Sequence, residues 1–261
     1  MKPYLRLPSS EIAKFRANVH RVARETGTDC GVVMRSSMQQ MVGMLSGYTY
    51  PRKRGDGEGA IKTDVRKLTL EVTGNSPRTK DEAVRLLVLL RLPVNQANII
   101  AARKLVSEHG TSGQAFYSIT NQQADKLPEL HRQARGRGGR VARGVIVKIG
   151  DVTANRLRIR AEQQVRHMQQ VFHRVGRLRG GWNKAAEVWR AKVADWAWRH
   201  GTAEGAATDA LKPDGSGFLR ATNNVPYAYP KLKGLTTIAM RAAIRNVEKR
   251  LQRVAAKSKR V

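Results

Sequence analysis

Apolar residues recur at helical spacing along most of the chain, and this periodicity constrains the fold more than any other feature. Ile12, Phe15, Val19 and Val22 stand three or four apart behind Ser9 and Ser10, which predicts a capped helix over about 10–25. After a break at 27–31, Val33, Met34, Ser37, Met38, Met41, Val42 and Leu45 make a second stripe that should end near Ser46. Thr79 to Glu82 reads as a capping box ahead of Ala83, Val84, Leu87, Val88 and Leu90, with Pro93 as the stop. A further helix is expected over 94–109, closed by Gly110, with Thr111, Ser112 and Gly113 as a turn. Between Asn121 and Arg135 a short helix should be interrupted by Pro128.

The second half continues the pattern. Val165, Met168, Val171, Phe172, Val175 and Leu178 predict a long helix beginning near Thr153 or later and ending at Gly180 and Gly181. Trp182, Ala185, Ala186, Trp189, Val193 and Trp196 share one face of the next, and Met240, Ile244, Val247, Leu251 and Val254 line the last. Strand signals are few. The β-branched run at 145–149 lies between glycines, and 217–223 could pair with it. Residues 60–73 mix both periods and read as a helix with an irregular end. Glycine and charge mark 47–59 and 201–216 as loops, and Pro226 and Pro230 frame an extended segment holding Tyr227 and Tyr229. The fold class is therefore α+β and predominantly helical, with amphipathic helices packed on a small antiparallel sheet. Two regions are expected: a helical 1–130 with a basic loop at 47–59, and an α+β core over 131–261 ending in a basic helix.

Charge bounds the partner more than the fold. Lys and Arg number 49 against 20 Asp and Glu, leaving +29 on 261 residues, a surplus suited to a polyanion. With 41% hydrophobic residues the chain should still fold. No apolar run is long enough to span a bilayer, and the first residues lack the apolar block of a signal peptide, so no membrane contact is expected. The single cysteine, Cys30, excludes an internal disulfide and fits assembly in a reducing cytoplasm.

Catalytic and metal signatures are weak. The six histidines are dispersed, and His167 and His173 miss the i,i+4 spacing of a helical zinc pair. Gly136 to Arg140 precedes a strand signal and lacks the Gly-Lys-Ser/Thr ending of a phosphate loop. No nucleophile elbow or carboxylate pair stands out, so neither an enzyme nor a cofactor is expected. The basic residues cluster instead. Arg52, Lys53 and Arg54 in the first loop, and Arg135, Arg137, Arg140 and Arg143 in an Arg-Gly stretch, are the candidate polyanion-facing groups. Any single cluster is more commonly a solvated face, but the surplus needs compensation from DNA or acidic neighbours. Three of the four tryptophans suit a helical core, whereas Trp198 falls off their stripe and, with Tyr227 and Tyr229, is a candidate subunit-interface residue.

A set of short motifs adds a resemblance. Leu130-His131 is followed by Gly139-Arg140-Val141, then Gly181-Trp182-Asn183-Lys184-Ala185-Ala186, Trp198-Arg199-His200-Gly201, and Asn223-Asn224-Val225-Pro226-Tyr227-Ala228 before a basic terminal helix. In this order, residues 130–257 resemble the tail-completion or head–tail joining (neck) proteins of tailed phages. The resemblance implies helices on a short antiparallel sheet and a homo-oligomeric ring beneath the portal or at the top of the tail. It also implies contacts with portal, neck and tail proteins and with the genomic DNA that passes, in a virion assembled in the host cytoplasm. Pro230-Lys231-Leu232-Lys233-Gly234 departs from the acidic-glycine ending of that family, and 60–125 has no counterpart in it. A sequence-independent nucleic-acid-binding protein of nucleoid or ribosomal type is the alternative that the charge alone would support.

Overall fold

A computed structural model describes residues 9–27, 29–136, 146–212, 216–226 and 228–258. Helices α1 (Ser9–Thr26), α2 (Cys30–Tyr48) and α3 (Arg54–Leu68) lead into strand β1 (Thr69–Glu71), followed by α4 (Glu82–Leu89), α5 (Gln96–His109) and α6 (Ser112–Gly136). Strands β2 (Val147–Ile149), β3 (Val152–Ala154) and β4 (Leu157–Ile159) precede α7 (Ala161–Phe172). The short α8 (Arg177–Gly180), α9 (Asn183–Trp189) and α10 (Asp195–Trp198) come next, then β5 (Gly205–Asp209), β6 (Leu219–Asn223) and the terminal α11 (Ala228–Ser258). Helix makes up 65% of the structure, so the predominantly helical α+β class follows from the periodicity as read. The strands form three separate two-stranded ladders: β1 with β4 in parallel, and β2 with β3 and β5 with β6 antiparallel.

The chain divides into two compact units, one made of Met1–Gly57 and Arg174–Val261, the other of Glu58–His173. The boundary expected at 130/131 falls inside α6. In the discontinuous unit, α1, α2 and α11 pack through Phe15, Val19, Val22, Val33 and Val247, with Met240 and Ile244 against them. Beside them Met38 and Val42 of α2 meet Ala185, Ala186 and Trp189 of α9, and Leu45 meets Trp182, Val225 and Leu232. Each is a helical stripe buried against another, the arrangement that contributes most of the stability of short helices in water.

The Glu58–His173 unit is built around α4, α5 and α6. Leu86, Leu87, Leu90, Ala102, Phe116 and Ile119 form its core with Ile149, Val152 and Ala154 from the hairpin. Asp81 caps α4, its Oδ1 accepting from the amides of Ala83 and Val84. Glu82 does not close the expected capping box; its Oε2 accepts from the Ser112 amide at 2.7 Å, tying α4 to the start of α6. Ser112 therefore opens a helix and does not belong to a turn. That helix runs unbroken through Pro128, because Phe116, Thr120, Gln123, Leu127, His131 and Ala134 form one buried stripe on both sides of it. Side-chain burial outweighs the roughly 3 kcal/mol that an interior proline costs.

Other departures share a cause, tertiary contact overriding local propensity. The loop expected over 47–59 is partly helical, since α2 includes Gly47 and α3 starts at Arg54. Gly57 permits this: a Cβ there would sit 2.5 Å from Val175 Cγ1 and 2.9 Å from Pro51 Cγ. The segment after Leu68 is an ordered strand, whose partner β4 and the hairpin strand β3 occupy the start of what periodicity assigned to the long helix; the rest is α7, a turn and α8. Their burial alternates with period two, as in half-buried strands. The tryptophan helix is two pieces: Arg190 adopts φ 52 and ends α9, after which Ala191 and Val193 are buried in an extended link. The strand over 219–223 pairs with β5, inside the expected 201–216 loop, and not with the run near 147. Pro230 lies in the first turn of α11, where its missing N–H has no helical acceptor.

Gly205 tests this packing. A Cβ there would lie 2.6 Å from the Gly181 carbonyl oxygen, so Gly205→Ala should lower the unfolding free energy by about 1–3 kcal/mol in urea titrations. Gly59→Ala, in open space on α3, should raise it by about 0.5–1 kcal/mol.

Candidate polyanion interface

The segment carrying Arg52, Lys53 and Arg54 is fixed from within. Arg179, only 4% exposed, donates from Nη2 to the Gly47 carbonyl at 2.8 Å and from Nη1 to the Arg52 carbonyl at 2.9 Å. Its guanidinium also lies 5.2 Å from the Trp196 ring centroid. Among the described residues no carboxylate pairs with it, and its Nε has no hydrogen-bond partner. Burial, and then the Arg52 charge, lower its pKa from the ordinary arginine range. Between the two anchored carbonyls, the buried Thr49 donates from Oγ1 to the Leu45 carbonyl at 2.6 Å and accepts from Trp182 Nε1 at 3.1 Å. Arg52, Lys53 and Arg54 themselves are exposed.

The second predicted cluster is divided. Arg137, Arg140 and Arg143 lie outside the described residues. Arg135, on α6, turns to the buried Asp64 of α3, its Nε 2.6 Å from Oδ2. It belongs to a cluster that sequence reasoning missed: His131 Nδ1 and His167 Nε2 are 3.0 Å apart, and His131 Nε2 is 3.8 Å from Asp64, beyond hydrogen-bond reach. His131 and His167 are 36 residues apart, on α6 and α7, so no spacing rule could join them. One imidazole cannot place both ring nitrogens on one ion. Among the described residues no group of three or more His, Cys, Asp or Glu side chains could hold a metal.

Trp198 closes α10 and is 39% exposed, whereas Trp182 and Trp189 are buried. Tyr227 lies outside the described residues, and Tyr229 is in the first turn of α11, its side chain outside them too. The motifs at 181–186, 198–201 and 223–226 converge on one corner, whereas Leu130-His131 belongs to the Glu58–His173 unit and Gly139-Arg140-Val141 lies outside the described residues. Asn183 donates to the carbonyls of Ala197 and Gly201, both at 2.9 Å, His200 meets the Val175 carbonyl at 2.9 Å, and Asn223 donates to Leu178 at 2.7 Å. Arg177 pairs with Glu204, which holds that carboxylate below its ordinary pKa. These polar motif residues thus satisfy backbone and charge within the fold.

Helix α11 carries a further ordered basic surface. Ala239, Ala243 and Val247 are buried, while Arg241, Arg245, Lys249 and Arg253 are exposed at four-residue intervals, a rise of about 6 Å per step. Glu248 lies 3.7 Å from Lys14 of α1. Near this end, Val22, Val32 and Val33 wall a cleft of about 330 Å³ with Arg250 and Arg253 at its rim. No described helix is long and apolar enough to cross a membrane.

Two outcomes follow. Arg179→Met leaves two carbonyls without their donor and should reduce stability by about 2–3 kcal/mol in urea titrations. Burial, then the Arg135 charge, push the His131 pKa below the ordinary histidine range, against the pull of Asp64. The unfolded chain therefore takes up the proton more readily, and stability falls as pH drops through the ordinary histidine pKa. The urea midpoint should decline between about pH 7.5 and about pH 5.5, and His131→Gln should reduce that decline. In comparisons with known proteins, no family model, no curated protein and no solved structure matches the chain.

Proposed function

We propose that the chain is a non-enzymatic structural protein of a tailed-phage particle, a ring-forming part of the neck that faces the DNA exit channel and binds without cofactor or membrane. The observation that carries this reading is the line of exposed cations on α11, set on a helix whose opposite face is buried in the three-helix core. Such a surface meets phosphates at a repeat and reads no bases, as a protein that must let any sequence pass requires. The ordered motifs support the finer assignment to the neck. Those at 181–186, 198–201 and 223–226 form one internally bonded corner, which leaves the exposed Trp198 available as an anchor between subunits.

Native mass spectrometry of the full chain should give rings of one subunit number without DNA; a chain that stays monomeric until DNA is added is instead a nucleoid-type protein. Duplex binding should weaken steeply with salt. Arg245→Ala with Lys249→Ala should reduce the slope of log affinity against log salt by about two, roughly one for each phosphate no longer neutralised. An unchanged slope removes α11 from the interface.

A further inference from the structure

The anchored segment that precedes α3 has a second chemistry beside its charge. Thr49 and Pro51 point inward and are buried, while Tyr48 is 43% and Tyr50 61% exposed. Tyr48 closes α2, and Thr49 after it is extended at φ −67 and ψ 122. Two exposed rings thus flank the buried Thr49, and the exposed Arg52, Lys53 and Arg54 follow within four residues of Tyr50. No acidic and no exposed aliphatic side chain occurs between Gly47 and Arg54.

We infer that Tyr48 and Tyr50, with Arg52 and Lys53 beside them, form a base-stacking platform for single-stranded nucleic acid. Unpaired bases offer flat faces to the rings, and the cations neutralise the phosphates that follow. A duplex cannot use the rings, because its base faces are already stacked on one another. A protein partner would need apolar side chains around the tyrosines to build a dry interface centre, and the segment exposes none. The hydrogen bonds from Arg179 to Gly47 and Arg52, and from Trp182 to Thr49, hold the backbone before any ligand arrives, so little ordering entropy opposes binding. The platform rests on the reading that this chain contacts nucleic acid, and it identifies a strand-specific site separate from the cation line on α11.

The test is fluorescence anisotropy of the full chain with a labelled oligothymidylate and a labelled duplex, each of about 20 nucleotides per strand. Tyr48→Ala with Tyr50→Ala should weaken the single strand roughly tenfold or more and leave the duplex within about twofold. Tyr48→Phe with Tyr50→Phe keeps the rings and should restore single-strand affinity to within about twofold of the parent. Equal losses on both ligands, or no loss on either, overturn the platform. Loss of single-strand binding on Arg245→Ala with Lys249→Ala but not on the tyrosine variants overturns it while leaving the broader reading intact. Unchanged oligonucleotide affinity with abolished self-association makes the face a protein interface and overturns the platform too. A parent chain that binds neither ligand at about 50 mM salt removes both proposals.

Discussion

A buried cation with no carboxylate partner among the described residues organises the discontinuous unit. Arg179 is drawn out of water, and its compensation comes from two backbone carbonyls and the face of Trp196. Carbonyl dipoles and a ring quadrupole stabilise a guanidinium less than an anion does, so part of the cost of its enclosure stays uncompensated, and burial lowers its pKa. Trp196 supplies part of that enclosure. It lies over Gly176, whose φ of 91 and missing side chain let the ring approach. The Trp182 and Thr49 bond then closes the same region from the other side. Leucine or methionine could fill the volume, but neither could fix both ends of the Gly47 to Arg52 segment.

The few acids explain where the surplus charge lies. Asp64 is committed to Arg135, Glu204 to Arg177, Asp209 to Arg35, and Glu82 to Arg85 and the Ser112 amide. Each of these joins separate elements, apart from the Glu82–Arg85 contact within α4. These four carboxylates connect elements, while Arg52, Lys53, Arg245, Lys249 and Arg253 are exposed. Other pairs, such as Lys14 with Glu248 and Lys104 with Asp151, lie at the surface.

Helices were legible because a buried stripe leaves a period in the sequence, as in Phe15, Val19 and Val22 or Ile244 and Val247. Interruptions were not, since they depend on partners distant in the chain. Pro128 breaks nothing because Leu127 and His131 are buried on either side, and Arg190 ends α9 although no glycine marks the spot. Strands were read at 145–149 and 217–223, where β2 and β6 lie, but β3 and β4 were missed for a related reason: three residues of alternation, such as Leu157-Arg158-Ile159, are too few to outvote a helical pattern around them. Of the candidate site, the basic clusters could be read from composition, but not the difference between Arg135, which turns to Asp64, and Arg52, which faces solvent. The Arg179 anchor had no local signal at all, being one arginine among several between 174 and 179.

Self-repulsion gives this charge distribution a consequence for assembly. Copies of a chain carrying +29 resist close approach unless their contact faces are nearly neutral or a polyanion lies between them. In a ring around DNA, the outer cations would gain most from the duplex where subunits are nearest the axis, and the released counterions would add a favourable entropy to closure. Contacts between subunits would then fall to surfaces of low charge and large apolar area, of which the exposed Trp198 is an example. In such a ring, polyanion binding and subunit association would be coupled through electrostatics.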